Sequence, residues 1–322
     1  MAPIAITPPA VNDVPTKTVD QMNGIERYDS ASPGAGVGGR KMPQRKRTIE
    51  LNDGHEIPQV ALGVYKAPNG RETEDAVTAA LDAGYRHIDS AARYMNEEAC
   101  GRAVNAWLKR TGTPRSEVFI TTKLWDADHG YEATFNALCD SLNKFGLDYF
   151  DLYLLHSPAD DETKRLESWR ALEVAQKLGK CRSIGVSNFG AADLEHLLQN
   201  CNVVPAVNQI EVHPFCQRED LVDLCKKNGI KIEAYSPLAR GNKLSDERIV
   251  AIADRLGRSP AQVLLNWSAA RGNVVLPKSL TASRIQSNFE AFDFELSAED
   301  MAALDALGAE NYVTGSLHKS DD

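Results

Sequence analysis

The stretch VALGVYKAPNGRETED, residues 60–75, decides the fold. A short apolar segment, Val60 to Gly63, runs into a polar helix-like segment without a glycine-rich turn. A doubly wound dinucleotide-binding sheet carries its Gly-rich turn after the first strand. Its absence here favours the other architecture that alternates strands and helices, the barrel. Seven further strand-like runs follow: HID (87–89), VFITTK (118–123), FDLYLLH (150–156), SIGVSN (183–188), AVNQI (206–210), KIEAYSP (231–237) and NVVLP (273–277). Helical patterns lie between them. VTAALDAG ends at Gly84, a C-cap signal. Cys100, Val104, Trp107 and Leu108 share one helical face, as do Phe135, Leu138, Leu142 and Phe145. Leu166, Trp169 and Leu172 begin a helix that stops at Gly179, and shorter helices are expected around 190–199 and 218–228. Ser259-Pro260-Ala261-Gln262 reads as a capping box with Pro at the first helical position.

Eight alternations without a break in composition predict one α/β domain, a (β/α)8 TIM barrel over residues 47–322. Two short alternating runs flank Asn52-Asp53-Gly54 ahead of it. They predict a β-hairpin closing the barrel bottom. Residues 1–46 are rich in Pro, Gly and Ser and lack apolar periodicity, so they are expected to be a flexible extension. That extension contains GAGVGGRK, residues 34–41, with Gly34, Gly36 and Gly39 in G-x-G-x-x-G spacing. A nucleotide fingerprint needs a strand before it and a helix after it, and neither pattern is present. As a P-loop it fails too, because Arg40 stands where the lysine belongs and Met42 follows Lys41. It reads as a linker, as does the basic run RKMPQRKR (40–47).

The chain has 322 residues and a net charge of −9, which argues against nucleic acid or an anionic membrane as the main partner. No apolar run is long enough to span a bilayer, and the N-terminus resembles neither a secretory signal nor a transit peptide. The six cysteines form no C-x-x-C pair and are expected as reduced, mostly buried thiols of a cytoplasmic protein. No His pair has metal-helix spacing, so no metal is expected.

Chemistry in such barrels gathers at the C-terminal ends of the strands. Those ends carry Asp89, Lys123, His156, Ser187 with Asn188, Gln209, Tyr235 with Ser236, and Lys278 with Ser279. An Asp, a Lys and a His that each end an apolar run are costly to bury unless paired. Singly, each has a plainer reading: Asp89 as a cap, Tyr94 as a loop aromatic, His156 as a core histidine, Lys123 as the Schiff-base amine of an aldolase.

HIDSAARYMNEE, TTKLW, LYLLHSP, GVSNF, NQIEVHP, YSPL and LPKSLTASRIQSN together, in this order, resemble the aldo-keto reductase family over about residues 47–307. The resemblance implies a catalytic tetrad of Asp89, Tyr94, Lys123 and His156. Tyr94 would be the general acid for carbonyl reduction, its pKa lowered from about 10 by the Lys123 ammonium. Asp89 would pair with Lys123, and His156 would orient the carbonyl. The resemblance also implies NADPH as cofactor. Ser187, Asn188 and Gln209 would hold the carboxamide, Tyr235 would stack on the nicotinamide, and Gly63, Val64, Ser236 and Leu238 would line its path. Lys278, Ser279 and Arg284 would hold the 2′-phosphate, where NAD would instead favour an acidic residue. Asn288 would approach the adenine, but Ser287 stands where the family often has an acid.

The substrate pocket implied by the resemblance comprises Tyr65, Trp125 and Ser157. Tyr65 and Ser157 replace tryptophans found in many aldose reductases, and only SPADDE separates His156 from the next helix. A short-loop, open pocket is similar to microbial and fungal members and implies small aldehydes, short aldoses or α-keto compounds as substrates. Two other functions stay open: a non-catalytic subunit of the same fold that holds NADPH, and the Lys123 aldolase. The family is often monomeric.

Overall fold

Thr48–Glu50 (β1) and Glu56–Pro58 (β2) pair antiparallel across a turn at Gly54, whose φ of 82° suits glycine. This is the expected hairpin, and it plugs one end of a barrel. Leu51 and Ile57 pack against Phe119, Leu152, Val207 and Val274, which sit at or near the starts of barrel strands. Asn52 Nδ2 donates to Pro205 O at 2.9 Å, and Gln59 Nε2 donates to Ala269 O and Asn273 O, tying the plug to loops at the same end.

The computed structural model describes residues 47–314. The expected N-terminal extension, with GAGVGGRK and all of the basic run but Arg47, lies outside the described residues.

Eight strands run parallel in chain order: Leu62–Gly63 (β3), His87–Asp89 (β4), Phe119–Leu124 (β5), Phe150–Leu155 (β6), Cys181–Ser187 (β7), Val207–Glu211 (β8), Lys231–Tyr235 (β9) and Val274–Leu276 (β10). Parallel bridges Val60–Val275 and Gly63–Lys278 bring the last strand back to the first, so the sheet closes into a TIM barrel. The seam is irregular. Ala61 N donates to Val275 O and Gly63 N to Pro277 O, each at 3.0 Å, and the regular part of the first strand shrinks to two residues.

Helices follow the strands: Arg71–Ala83 (α1), Glu97–Thr111 (α2), Tyr131–Phe145 (α3), Glu162–Lys177 (α4), Ala191–Asn200 (α5), Glu219–Lys227 (α6), Glu247–Leu256 (α7), Pro260–Ala270 (α8), Ala282–Phe289 (α9) and Ala298–Asp305 (α10). Gly84 ends α1 with a φ of 110°, and its N–H reaches Ala80 O and Leu81 O. The capping box at Ser259 is formed: Gln262 N donates to Ser259 Oγ at 3.2 Å and Ser259 N to Gln262 Oε1 at 3.0 Å. Helices α7 and α10 go beyond the periodic stretches read from sequence. Ile249, Ile252 and Ala253 bury the inner face of α7.

Among the described residues no helix is long and apolar enough to cross a membrane. All six cysteines are unbridged, and Cys100, Cys181, Cys216 and Cys225 are buried.

Candidate active site

Register decides which side chains meet at the open end of the barrel. Asp89 ends β4, Lys123 lies one residue short of the end of β5, and His156 follows β6. Lys123 is fully buried (0% exposed). Its ammonium donates to both Asp89 oxygens and to Ser90 O, each at 2.8 Å. Burial alone would lower its pKa, but the Asp89 carboxylate, Tyr94 and Glu233 together more than offset that and hold the amine above its ordinary value. With all three N–H groups donated, the nitrogen has no lone pair for a Schiff base, which argues against the aldolase.

Tyr94 ends the 3₁₀ turn Ala92–Tyr94, and its ring centroid lies 5.1 Å from the Lys123 ammonium. Its phenol does not show the expected net lowering. Burial pushes the pKa up and outweighs the pull of Lys123. The His156 ring stands edge-on to both Tyr94 and Trp125, at 5.6 Å between centroids in each case.

These side chains border a cavity of about 940 Å³. Asp89, Tyr94 and His156 line it, together with Tyr65, which is 37% exposed and 5.1 Å from the Tyr94 ring. Gly63, Ser187, Asn188, Gln209, Tyr235, Ser236 and Leu238 line the same cavity, as do Lys278, Ser279, Arg284, Ser287 and Asn288. Lys278 and Arg284 are exposed and pair with no carboxylate of the described residues. Asn188 and Ser236 have left-handed φ values of 59° and 48°, which turn the chain sharply just after β7 and β9.

Several polar groups are already engaged within the protein. Ser187 Oγ donates to Gln209 O at 2.8 Å. Asn188 Nδ2 donates to His156 O at 2.9 Å and its Oδ1 accepts from the Tyr235 hydroxyl at 2.9 Å. Gln209 Nε2 donates to Asp89 Oδ2 at 2.9 Å and to Glu233 Oε2 at 2.8 Å.

Four residues named from sequence do not line the cavity, Lys123 among them, buried against Asp89. Val64 is buried behind it, donating its N–H to Asp89 O at 3.1 Å. Ser157 is buried and donates to Asp126 Oδ1. Trp125 stands beside His156 and carries the Arg93 guanidinium on its face at 4.1 Å. In turn the cavity includes Lys66, Arg240 and Leu244, which the sequence reading missed although they neighbour Tyr65 and Leu238. Glu233 was missed too. Its signal was an acid between the apolar Ile232 and Ala234 in mid-strand. No group of three or more His, Cys, Asp or Glu side chains suited to a metal occurs among the described residues.

Comparison with known proteins places this geometry. The sequence pattern of the Aldo/keto reductase family matches residues 59–309. The chain belongs to the aldo/keto reductase family. Like the rest of that family it is an oxidoreductase by descent. It is 47% identical to the glyoxal reductase of Bacillus subtilis over 268 residues, 83% of this chain and 95% of the relative. Among solved structures it resembles an aldo/keto reductase from Brucella melitensis, at 45% identity and a TM-score of 0.79, over 83% of this chain and 99% of that one. It also resembles a Bombyx mori aldo-keto reductase in complex with NADP, at 38% identity and a TM-score of 0.78, over 85% of this chain and 96% of the other.

Proposed function

We propose that this protein reduces small aldehydes, short aldoses or α-keto compounds to alcohols with NADPH, Tyr94 donating the proton. One observation carries the reading: the buried Asp89–Lys123 pair lies beside Tyr94 at the edge of a cavity that is also lined by His156 and by two cations, Lys278 and Arg284, with no carboxylate partner among the described residues. Those cations and Ser279 stand just before and within the first turn of α9, a setting that suits a phosphate dianion. No acidic residue lies in Leu276–Arg284 to favour a ribose hydroxyl, which supports NADPH over NADH. Ser187, Asn188 and Gln209 would hold the carboxamide, and Tyr235 would face the ring. The bound dihydronicotinamide supplies the hydride.

The residues of this chain handle the charge and the proton. As the carbonyl is reduced, negative charge develops on its oxygen, and the Tyr94 hydroxyl protonates it. Burial raises the Tyr94 pKa and makes the phenol a weaker acid, so giving up its proton depends on Lys123. Lys123 then offsets the cost of the phenolate left behind, and Asp89 keeps Lys123 charged and in place. His156 can donate a hydrogen bond to the same oxygen from the other side. Likeness to a glyoxal reductase supports small carbonyl substrates, and the short loop from Ser157 to Asp161 leaves the mouth open.

The test is NADPH oxidation by purified protein over glyoxal, methylglyoxal, short aldoses and α-keto esters, with NADH in parallel. Tyr94→Phe should lower kcat by about 10²- to 10⁴-fold and leave NADPH affinity unchanged. Tight NADPH binding without turnover on any of these carbonyls would favour the non-catalytic subunit.

A further inference from the structure

We infer that Glu233 is a positioning residue of this site: it fixes which end of the Gln209 amide faces the cavity and couples the Asp89–Lys123–Tyr94 group to pH. The inference rests on the reductase reading above.

Glu233 is the middle residue of β9, paired in register with Gln209 on β8 and Val274 on β10. It is 0% exposed. A carboxyl group inside a barrel is expensive to desolvate, and an apolar residue there would carry no such cost. Its Oε2 accepts from Gln209 Nε2 at 2.8 Å, and the same nitrogen donates to Asp89 Oδ2 at 2.9 Å. An amide nitrogen has two protons, and both are now used. Gln209 therefore has only its carbonyl oxygen to offer the cavity it lines. An acceptor at that place matches the NH2 of a carboxamide. Asp89 and Glu233 hold that choice together, because turning the amide over would set its oxygen against the Asp89 carboxylate and leave Glu233 Oε2 without its donor.

The charges around Glu233 are few. From β4 come Asp89 and His87, whose Nε2 is 3.8 Å from Glu233 Oε1. Lys123 faces it from β5, Gln209 from β8 is neutral, and Val274 on β10 does not titrate. Burial holds His87 neutral, its pKa pushed down to about 3. Glu233 Oε1 has no hydrogen-bond partner among the described residues, a poor setting for an anionic oxygen. Burial and the nearby Asp89 carboxylate push the Glu233 carboxyl up to about 8. With Glu233 neutral, the Asp89–Lys123 ion pair leaves the group without net charge, and ionisation of Glu233 adds one negative charge. That charge opposes the Tyr94 phenolate and makes proton donation harder, so reduction slows as pH rises through the Glu233 pKa.

The test compares wild type with Glu233→Gln and Glu233→Leu in two readouts, kcat from about pH 7 to pH 9 and NADPH Kd by fluorescence titration. Over that range wild-type kcat should fall about tenfold, the order of effect of one added buried charge at an effective dielectric near 20. Glu233→Gln keeps the shape and the acceptor but cannot ionise, so this fall should vanish while Kd at pH 7 stays at the wild-type value. Glu233→Leu removes one of the two acceptors that orient Gln209 Nε2, leaving only Asp89, and should weaken NADPH binding by up to about tenfold, the worth of one well-oriented hydrogen bond. Wild-type pH profiles and Kd values in both variants would overturn the inference while leaving the reductase reading intact. A wild-type protein without turnover or NADPH binding would overturn that reading instead. Should the variants not fold, or the wild type not turn over, infrared spectra of the wild type decide. A protonated-carboxyl stretch that disappears near the Glu233 pKa supports the inference, and its absence at neutral pH overturns it.

Discussion

Lys123→Met separates what the buried ammonium does for the fold from what it does for the chemistry. Methionine keeps the length and most of the volume of lysine but not the charge. The ammonium is fully buried and lies 2.8 Å from both oxygens of Asp89, itself buried. Without it, Asp89 keeps a side-chain donor in Gln209 at 2.9 Å but loses its counter-ion. Removing one partner of a buried ion pair costs about 3–5 kcal/mol, because the other charge is left uncompensated. In a barrel of this size each kcal/mol moves Tm by roughly 2–4 °C, so thermal unfolding should fall by about 10 °C. Adding Asp89→Asn removes the orphaned charge, and Tm should return to within about 3 °C of wild type. Activity should not return. Neither variant has an ammonium beside Tyr94, so NADPH-dependent turnover should stay down about 100-fold or more in both. Scanning fluorimetry and a steady-state assay on the four proteins of the cycle suffice. A Tm change under about 2 °C in Lys123→Met would show that Asp89 does not depend on its partner. Recovery of turnover together with stability in the double variant would refute the role assigned to the ammonium.

Other expectations follow from single contacts. A Cβ at Gly101 in α2 would lie 2.5 Å from Phe145 Cα and 2.7 Å from its carbonyl carbon. Gly101→Ala should push α2 and α3 apart and cost about 1–3 kcal/mol in thermal unfolding, with kinetic constants preserved. Lys278→Ala and Arg284→Ala should each raise KM for NADPH about 10- to 100-fold and leave NADH use unchanged, as a charge-assisted phosphate contact would require. His87 is neutral in the fold because burial pushes its pKa down to about 3. As pH falls below the ordinary value of about 6.5, the unfolded chain takes up a proton that the fold refuses. Stability present above that value is lost towards pH 3, at up to about 1.4 kcal/mol per pH unit. His87→Gln should show a shallower acid decline in Tm.

The barrel was legible because most of its strands are short apolar runs with a polar residue at or just after the end, and because Asn52-Asp53-Gly54 marks its own turn. Asp89, Lys123 and His156 stood out because charge at the end of an apolar run needs a partner. Two kinds of fact were out of reach. Side-chain direction after a strand depends on the loop, so Ser157 points inward to Asp126 rather than to the cavity. The sign of the Tyr94 shift depends on how much protein surrounds the phenol, which spacing along the chain does not reveal. Glu233 lies between these cases. Its acid stands in plain view between Ile232 and Ala234, but its meaning depends on Gln209, which meets it only through strand pairing.

The seam between β3 and β10 gives this barrel an order of assembly. Every other neighbouring pair of barrel strands is consecutive in the chain, whereas Val60 meets Val275 and Gly63 meets Lys278 across more than two hundred residues. The entropy of closing so long a loop must be met before its contacts form, which makes this pairing the slow, late one. Gly63 and Lys278 both line the cavity. A chain still emerging from the ribosome can therefore hold Asp89, Lys123 and His156 on paired strands well before it owns a groove. The wall that carries Lys278 comes into being in the same step that shuts the ring.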